Sequence, residues 1–477
     1  MMEGTMNFSR ILELVEEKKK QAIALSDEIW KVPELGLAEH RSAALLIEAL
    51  EREEFQVERG VDGIETAFVG TYGSGRPVIG LLAEYDALPG LSQEAACTSH
   101  RPLVEGGPGH GCGHNALGAG VVAAAVAVKD YLKEHPCAGT VKVFGCPGEE
   151  AGWAKMFLAR DGYFKDVDAC FTWHPGNCNS VQGYSSNANI CVYFTFQGRS
   201  AHAAAAPHLG RSALDACELM NVGVNYLREH VPAEVRMHYA YQNSGEKAPN
   251  VVHANACLKY YIRAPKMALA TQVLERVKDV ARGAALMTGT KCDINVTAGM
   301  SDFIANDAIS RLFVEAFNLA GPPQFDERDE ELAKAFWEQY SENEKAAGMM
   351  RINLSYPDGE KLRNTPLVKE IGPYFRIDKY MPGSTDVGDV SYVTPTGQLW
   401  VTCYANGTPG HSWQVTSQVA SSITHKAIVC AAKTMALATV MAFERPDVVE
   451  RAREELRERT GGVYVCPVDP DKKPVMP

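Results

Sequence analysis

The sequence predicts an α/β protein in two parts: a large domain with a mixed, largely parallel sheet between helices, interrupted by a smaller α+β domain of split βαβ type. Three observations carry this. Apolar β-rich runs alternate with helical periodicity from residue 67 to residue 173, a rhythm that buries a parallel sheet under helices on both faces. After about residue 187 the rhythm becomes β-α-β-β-α-β, the order of a split βαβ sandwich. From residue 301 the chain returns to helical blocks and ends its ordered part in a small-residue helix. The expected division is residues 1–186 with 301–477 for the large domain, and 187–300 for the insertion.

The elements follow in order. Residues 8–31 and 37–55 repeat apolar side chains at helical spacing, and Pro33-Glu34-Leu35-Gly36 breaks them apart. Residues 67–72 and 77–83 are β-rich strands, and the glycines of 106–113 make a loop. The Ala-rich helix at 117–132 is apolar on most sides and therefore expected to be buried. Strands at 140–146 and 169–173 flank a helical turn at 154–161. In the insertion, strands at 190–196, 236–241, 256–263 and 292–297 enclose long helices at 212–230 and 267–287. Beyond it come a charged helical block at 328–346, a polar irregular stretch at 351–383 and a helix at 416–443. The Pro-rich tail after Thr460 is expected to wrap the surface.

Composition narrows the partners. With 46% hydrophobic and 22% charged residues the 477-residue chain is a folded protein. Its 47 basic and 59 acidic residues leave a net charge of -12, which argues against nucleic acid or an anionic membrane surface as partner. The most apolar run, 117–128, stops at Lys129-Asp130, short of the roughly 20 residues that span a bilayer. The charged N-terminal stretch lacks the apolar core of a signal peptide. Thirteen cysteines, an odd number scattered through strands and helices, read as reduced thiols, so the expected location is cytoplasmic.

Chemistry is concentrated in four short passages. Gly109-His110-Gly111-Cys112-Gly113-His114-Asn115 sets a thiol and an imidazole two residues apart in a tight loop before a helix; both can reach one cation or a pair. Alone it reads equally well as a flexible loop. Cys146-Pro147-Gly148-Glu149-Glu150 follows an apolar strand, where open α/β sheets place their ligands. Of two adjacent acids, one can ligate a cation while the other acts as a base, although a solvated Glu-Glu pair is commoner. His174 in Thr172-Trp173-His174-Pro175 and His411 in Pro409-Gly410-His411-Ser412 complete the set, and a lone histidine in such a place is more often simply packed. Together the four supply Cys, His and Glu donors suited to two divalent ions such as Zn²⁺ or Mn²⁺. Glu84 and Asp86, at the end of another apolar strand, can orient ligand imidazoles from behind. No nucleophile elbow, P-loop, dinucleotide fingerprint or Cys-x-x-Cys pair competes.

In this order the passages HGCGHN, VFGCPGEE, DACFTWHP, SAHAAAAPHLGRSALDA, PNVV, YYIRAP and STDVGDVS resemble the M20 family of metallo-amidohydrolases, over most of the chain. The likeness is greatest to the branch whose loop reads Cys-Gly-His. It implies a catalytic domain interrupted by a dimerisation domain, and hydrolysis of the amide bond of an N-acyl amino acid. A related dipeptidase or aminoacylase activity is the alternative within enzymes, and a metal-binding, non-catalytic subunit the alternative outside them. The resemblance implies Cys112, His114, Glu150, His174 and His411 as ligands of two divalent ions, Zn or Mn, with Cys112 bridging. It implies Glu149 as catalytic base and His202 as a residue reaching the partner subunit's active site. Asn250 and Arg263 would lie around the substrate carboxylate. The expected assembly is a homodimer through the insertion or a heterodimer with an A-type subunit. Asn115 departs from the Asp that auxin-conjugate hydrolases commonly carry after Cys-Gly-His.

Overall fold

A computed structural model describes residues 8–245 and 247–474. Seven strands form the main sheet in the order Gln56–Arg59, Phe68–Ser74, Gly139–Gly145, Val78–Ala83, Ala169–Gly176, Thr396–Thr402, Ser180–Val181. The four central strands run parallel and the outer ones pair antiparallel. Val78–Ala83 is buried at every position, as a strand covered on both faces must be. Its alternate side chains enter different cores: Ile79, Leu81 and Ala83 one, Val78 and Leu82 the other.

The first core is dominated by the helices Ser9–Trp30, His114–Glu134 and Ser422–Glu444 packed on one another. Small residues permit the close approach. A Cβ at Gly118 would meet the Glu84 carbonyl oxygen at 2.8 Å, and one at Gly120 would meet the Trp173 indole nitrogen at the same distance. Contrary to the expectation drawn from the run 117–128, His114–Glu134 and Ser422–Glu444 are each long and apolar enough to cross a membrane by length and composition. Both are inner helices, however, with 94% and 89% of their most apolar windows buried inside the fold. All thirteen cysteines are free thiols.

Between Ala188 and Met300 a second, wholly antiparallel sheet runs in the order Lys291–Met300, Ala188–Gln197, Asn255–Ala264, Arg236–Asn243. Helices Ala213–Leu227 and Met267–Thr288 cover one face and share a separate core with it. Along Asn255–Ala264 the residues Ala256, Leu258, Tyr260, Ile262 and Ala264 point into that core. The intervening Tyr261 and Arg263 turn the other way, and the Tyr261 ring lies 5.7 Å from Trp153 of the large domain.

Several elements differ from expectation. The block at 328–346 is two helices, Glu327–Trp337 and Glu342–Ser355, each opened by a capping box, and the second runs into the stretch read as irregular. The helix at 416–443 is likewise two, Trp413–Gln418 and Ser422–Glu444. The central strand Thr396–Thr402 and the helix Pro446–Thr460 were not expected at all. Glycine and glutamine dilute the β signal of the strand, and the helix is mostly charged. In the tail, Val468 is buried and Lys472 donates to Asn295 at 2.7 Å, so the segment lies along the surface.

Candidate active site

Three parallel strands end at one edge of the main sheet. Glu84 and Asp86 follow Val78–Ala83, Glu149 and Glu150 follow Gly139–Gly145, and His174 lies near the end of Ala169–Gly176. The Cys112–His114 loop comes to the same edge because Gly113 turns it with φ 82°, immediately before the helix His114–Glu134. A Cβ there would sit 2.9 Å from Pro175, so both conformation and space require glycine. Gly148, at φ 65°, turns the Glu149 loop in the same way. His411 holds φ 52°, a left-handed conformation uncommon in a non-glycine residue. It immediately precedes Ser412, whose hydroxyl accepts from the Val415 N–H at the start of the next helix.

These loops bring the donors together. Donor atoms of Cys112, His114 and His174 lie within 4.8 Å of one another, and so do those of Cys112, Glu150 and His411. The two groups share the thiol. Cys112 Sγ is 3.5 Å from His174 Nε2, and His411 Nε2 is 3.1 Å from Glu150 Oε1. Glu84, His114 and Glu149 form a third group by the same measure. Cys112 is half-buried and His411 is the exposed member, at the rim.

A layer of hydrogen bonds behind the donors fixes how they point. Asp86 accepts from His114 Nδ1 at 2.8 Å and from the Glu150 backbone N–H at 2.8 Å. His174 Nδ1 donates to the Pro175 carbonyl at 2.8 Å. Both imidazoles therefore turn Nε2 toward the thiol side. Lys155 Nζ lies 2.9 Å from Glu84 Oε1 and also bonds Asp386. In contrast, His114 Nε2 and Glu84 Oε2, 3.3 Å apart, and Glu150 Oε1, 3.1 Å from His411, are buried and make no aligned hydrogen bond. Orphaned buried donors and acceptors are costly, and a thiolate, imidazoles and carboxylates oriented in this way fit divalent cations of the zinc type.

The electrostatics agree. Burial opposes an ionised Cys112, but His114 and His174 outweigh it and hold the thiol well below its ordinary range. Burial, reinforced by Glu84 and Glu150, pushes Glu149 well above the usual carboxylate range. Glu150 is pushed up to about 7 by burial and the Cys112 charge. Contacts with Cys112 and Glu150 push His411 up to about 11. Acids and imidazoles thus crowd around one thiol, a set of donors that a cation would relieve.

A cavity of about 300 Å³ opens over the cluster, lined by Cys112, Glu149, Glu150, His174 and His411 at one end. Arg263 reaches it from the insertion and donates to Ser384 Oγ at 2.8 Å. His202 and Asn250 do not line it: they sit together on exposed backbone of the insertion, where the Ala203 N–H donates to the Asn250 carbonyl at 2.9 Å. Residues not singled out from the sequence also take part. Lys155 begins the short helix after Trp153 as an ordinary Ala-Lys-Met, and Arg351 sits in a charged helix like any solvated arginine. Asp386 falls within the passage STDVGDVS, which was the one available signal.

The model of peptidase family M20/M25/M40 matches residues 80–398. The chain is 40% identical over 468 residues to the B-type subunit of p-aminobenzoyl-glutamate hydrolase from Escherichia coli K12, covering 97% of each. It is 27% identical to the human Xaa-Arg dipeptidase, covering 94% of this chain and 91% of the relative. Among solved structures, a dinuclear metal binding peptidase of the M20 family from Bacillus subtilis superposes with a TM-score of 0.56 at 16% identity, covering 90% of this chain and 99% of the other.

Proposed function

We propose that this chain, which belongs to peptidase family M20/M25/M40, hydrolyses the amide bond of an N-acyl amino acid, with p-aminobenzoyl-glutamate as its foremost substrate. The observation that carries this is the pair of donor groups sharing Cys112, with Glu149 beside them in one cavity. Cys112, His114, Glu150, His174 and His411 would hold two divalent cations, Zn²⁺ or Mn²⁺, which supply when bound the Lewis acidity for attack of water on an amide carbonyl.

The remaining work falls to the chain's own groups. Glu149 takes the proton of the attacking water at a carboxylate oxygen and returns it to the departing nitrogen, without which an amide does not release its amine. Asp86 and the Pro175 carbonyl keep the two imidazoles in the tautomer that leaves Nε2 free. Arg263 holds the carboxylate next to the scissile bond, where a planar guanidinium can bind both oxygens. His202 and Asn250, exposed and outside the lining of their own chain's cavity, would serve the cavity of a partner subunit. That partner is a second copy or an A-type chain, as the subunit naming of the bacterial relative suggests. We place the protein in the cytoplasm, a compartment that suits its thirteen free thiols.

Release of p-aminobenzoate by the purified protein, measured with Zn²⁺ or Mn²⁺ restored after chelation, tests the reading. Turnover that depends on the cation and vanishes in the chelated protein is expected. Turnover unaffected by chelation, or none with any N-acyl amino acid with or without an A-type partner, overturns it.

A further inference from the structure

On the wall of the same cavity, Arg351 projects from the helix Glu342–Ser355. Its guanidinium carbon lies 3.6 Å from the centre of the Trp400 ring, and that ring stands 4.7 Å from His174. The indole is itself fixed, since Trp400 Nε1 donates to Gln182 Oε1 at 2.9 Å. The guanidinium is thus held on a rigid shelf beside the cluster.

What it lacks is a counter-ion. The groups whose charge it feels are Tyr184, Tyr404 and Cys178, two phenols and a thiol. Among the described residues no carboxylate pairs with it, and Arg351 Nε is buried with no hydrogen-bond partner. On the same cavity wall Gln398 Oε1 is buried and unpartnered as well. Lys155, a fully buried cation of the site, has both Glu84 and Asp386. The acids lining the cavity are Glu149 and Glu150, both at the cation-binding end. A half-buried cation with no opposing charge is incompletely compensated, and its place on a cavity wall lets an incoming anion supply the missing charge.

The geometry assigns to Arg351 the role of a second carboxylate anchor: with Arg263 holding one carboxylate, Arg351 on its Trp400 shelf holds another, so that the site selects N-acyl derivatives of dicarboxylic amino acids. This rests on the reading of the cavity as an N-acyl amino acid hydrolase site and narrows it. A substrate ending in a cationic side chain, such as the human relative's name describes, would face like charge here.

The test compares p-aminobenzoyl-glutamate with p-aminobenzoyl-glutamine, which differ in one negative charge. Wild-type protein is expected to favour the glutamate compound in kcat/KM by about 30-fold or more, the discrimination a charge-assisted bidentate pair supplies. Arg351→Met should bring that ratio to within about threefold, mainly through KM, and Arg351→Lys should retain part of it because charge survives without the planar fork. A wild-type ratio near unity, or a ratio unchanged in Arg351→Met, overturns the assignment. Calorimetric titration of both compounds into Glu149→Gln protein with and without Arg351→Met separates the two readings. Loss of glutamate preference there supports the anchor even where wild-type protein hydrolyses neither compound, a result that would sink only the hydrolase reading.

Discussion

Behind the donor cluster, Lys155 lies buried between Glu84 and Asp386; on the cavity wall, Arg351 lies half-buried against an indole, near two phenols and a thiol. Both cations belong to the same site, and they differ in where the opposing charge comes from. Lys155 is neutralised within the fold and so serves to hold Glu84 against His114. Arg351 is left for something that arrives. The contrast separates residues that build the site from residues that read its substrate, and substitution can probe each side of it.

The largest effect is expected at the point where the two ends act on one molecule. Glu149→Gln removes the proposed proton acceptor while leaving the five donor side chains in place. Turnover should fall by about 10⁴-fold, the upper range for a positioned general base, with cation content unchanged by elemental analysis. Activity within about tenfold of wild type would remove Glu149 from that role.

Next comes the paired cation. Lys155→Met leaves Glu84 and Asp386 buried and uncompensated, which should cost about 3–5 kcal/mol in chemical denaturation. Asp386 is already pushed up to about 6 by burial, against the pull of Lys155, so the same variant should shift it further upward and loosen the orientation of Glu84 and His114. A loss below about 1 kcal/mol would mean that Lys155 is not the internal counter-ion its distances describe.

The donor end was readable in the sequence because its residues are short-range companions: Cys112 with His114, Glu149 with Glu150, each in a glycine-bearing loop where a strand or a helix begins or ends. The parallel α/β class was readable from the same strands, which are continuous apolar runs. Lys155, Arg351 and Trp400 were not readable. Each looks ordinary among its neighbours and acquires meaning only from side chains far away in the chain, as Lys155 does from Glu84 and Asp386. Thr396–Thr402 was missed for a related reason. Gly397 is demanded by the close approach of Phe313, where a Cβ would stand 3.0 Å away, and a packing requirement of that kind weakens the local β signal.

A third buried charge refines the contrast. Asp389, in the same segment as Asp386, has only neutral partners: the Ser301 hydroxyl and backbone N–H and the Tyr464 hydroxyl. Burial pushes its carboxyl up to about 7, against those hydrogen bonds. Between the ordinary value of 3.8 and about 7 the native state keeps a proton that the unfolded chain has released. The stability this contributes is therefore complete below the lower value and lost as pH rises through the upper one. Asp389→Asn should remove about 2–3 kcal/mol of pH dependence between about pH 5 and pH 8, read from denaturant midpoints of variant and wild type. An unchanged slope would show that the carboxyl titrates at its ordinary value.

The smallest effect is expected at Arg351, and it is the one that decides the comparison. Arg351→Met removes a cation–π contact with Trp400, worth about 1–2 kcal/mol when desolvated. It also removes the cost of a half-buried charge without a counter-ion and replaces it with an apolar side chain of similar length, the kind of exchange that leaves many ionic sites no less stable. The two changes oppose each other, so the denaturation free energy should move by less than about 1 kcal/mol, although glutamate recognition collapses. A loss as large as that of Lys155→Met would mean that the fold does neutralise Arg351 internally, and the distinction between the two cations, with the anchor built on it, would fail.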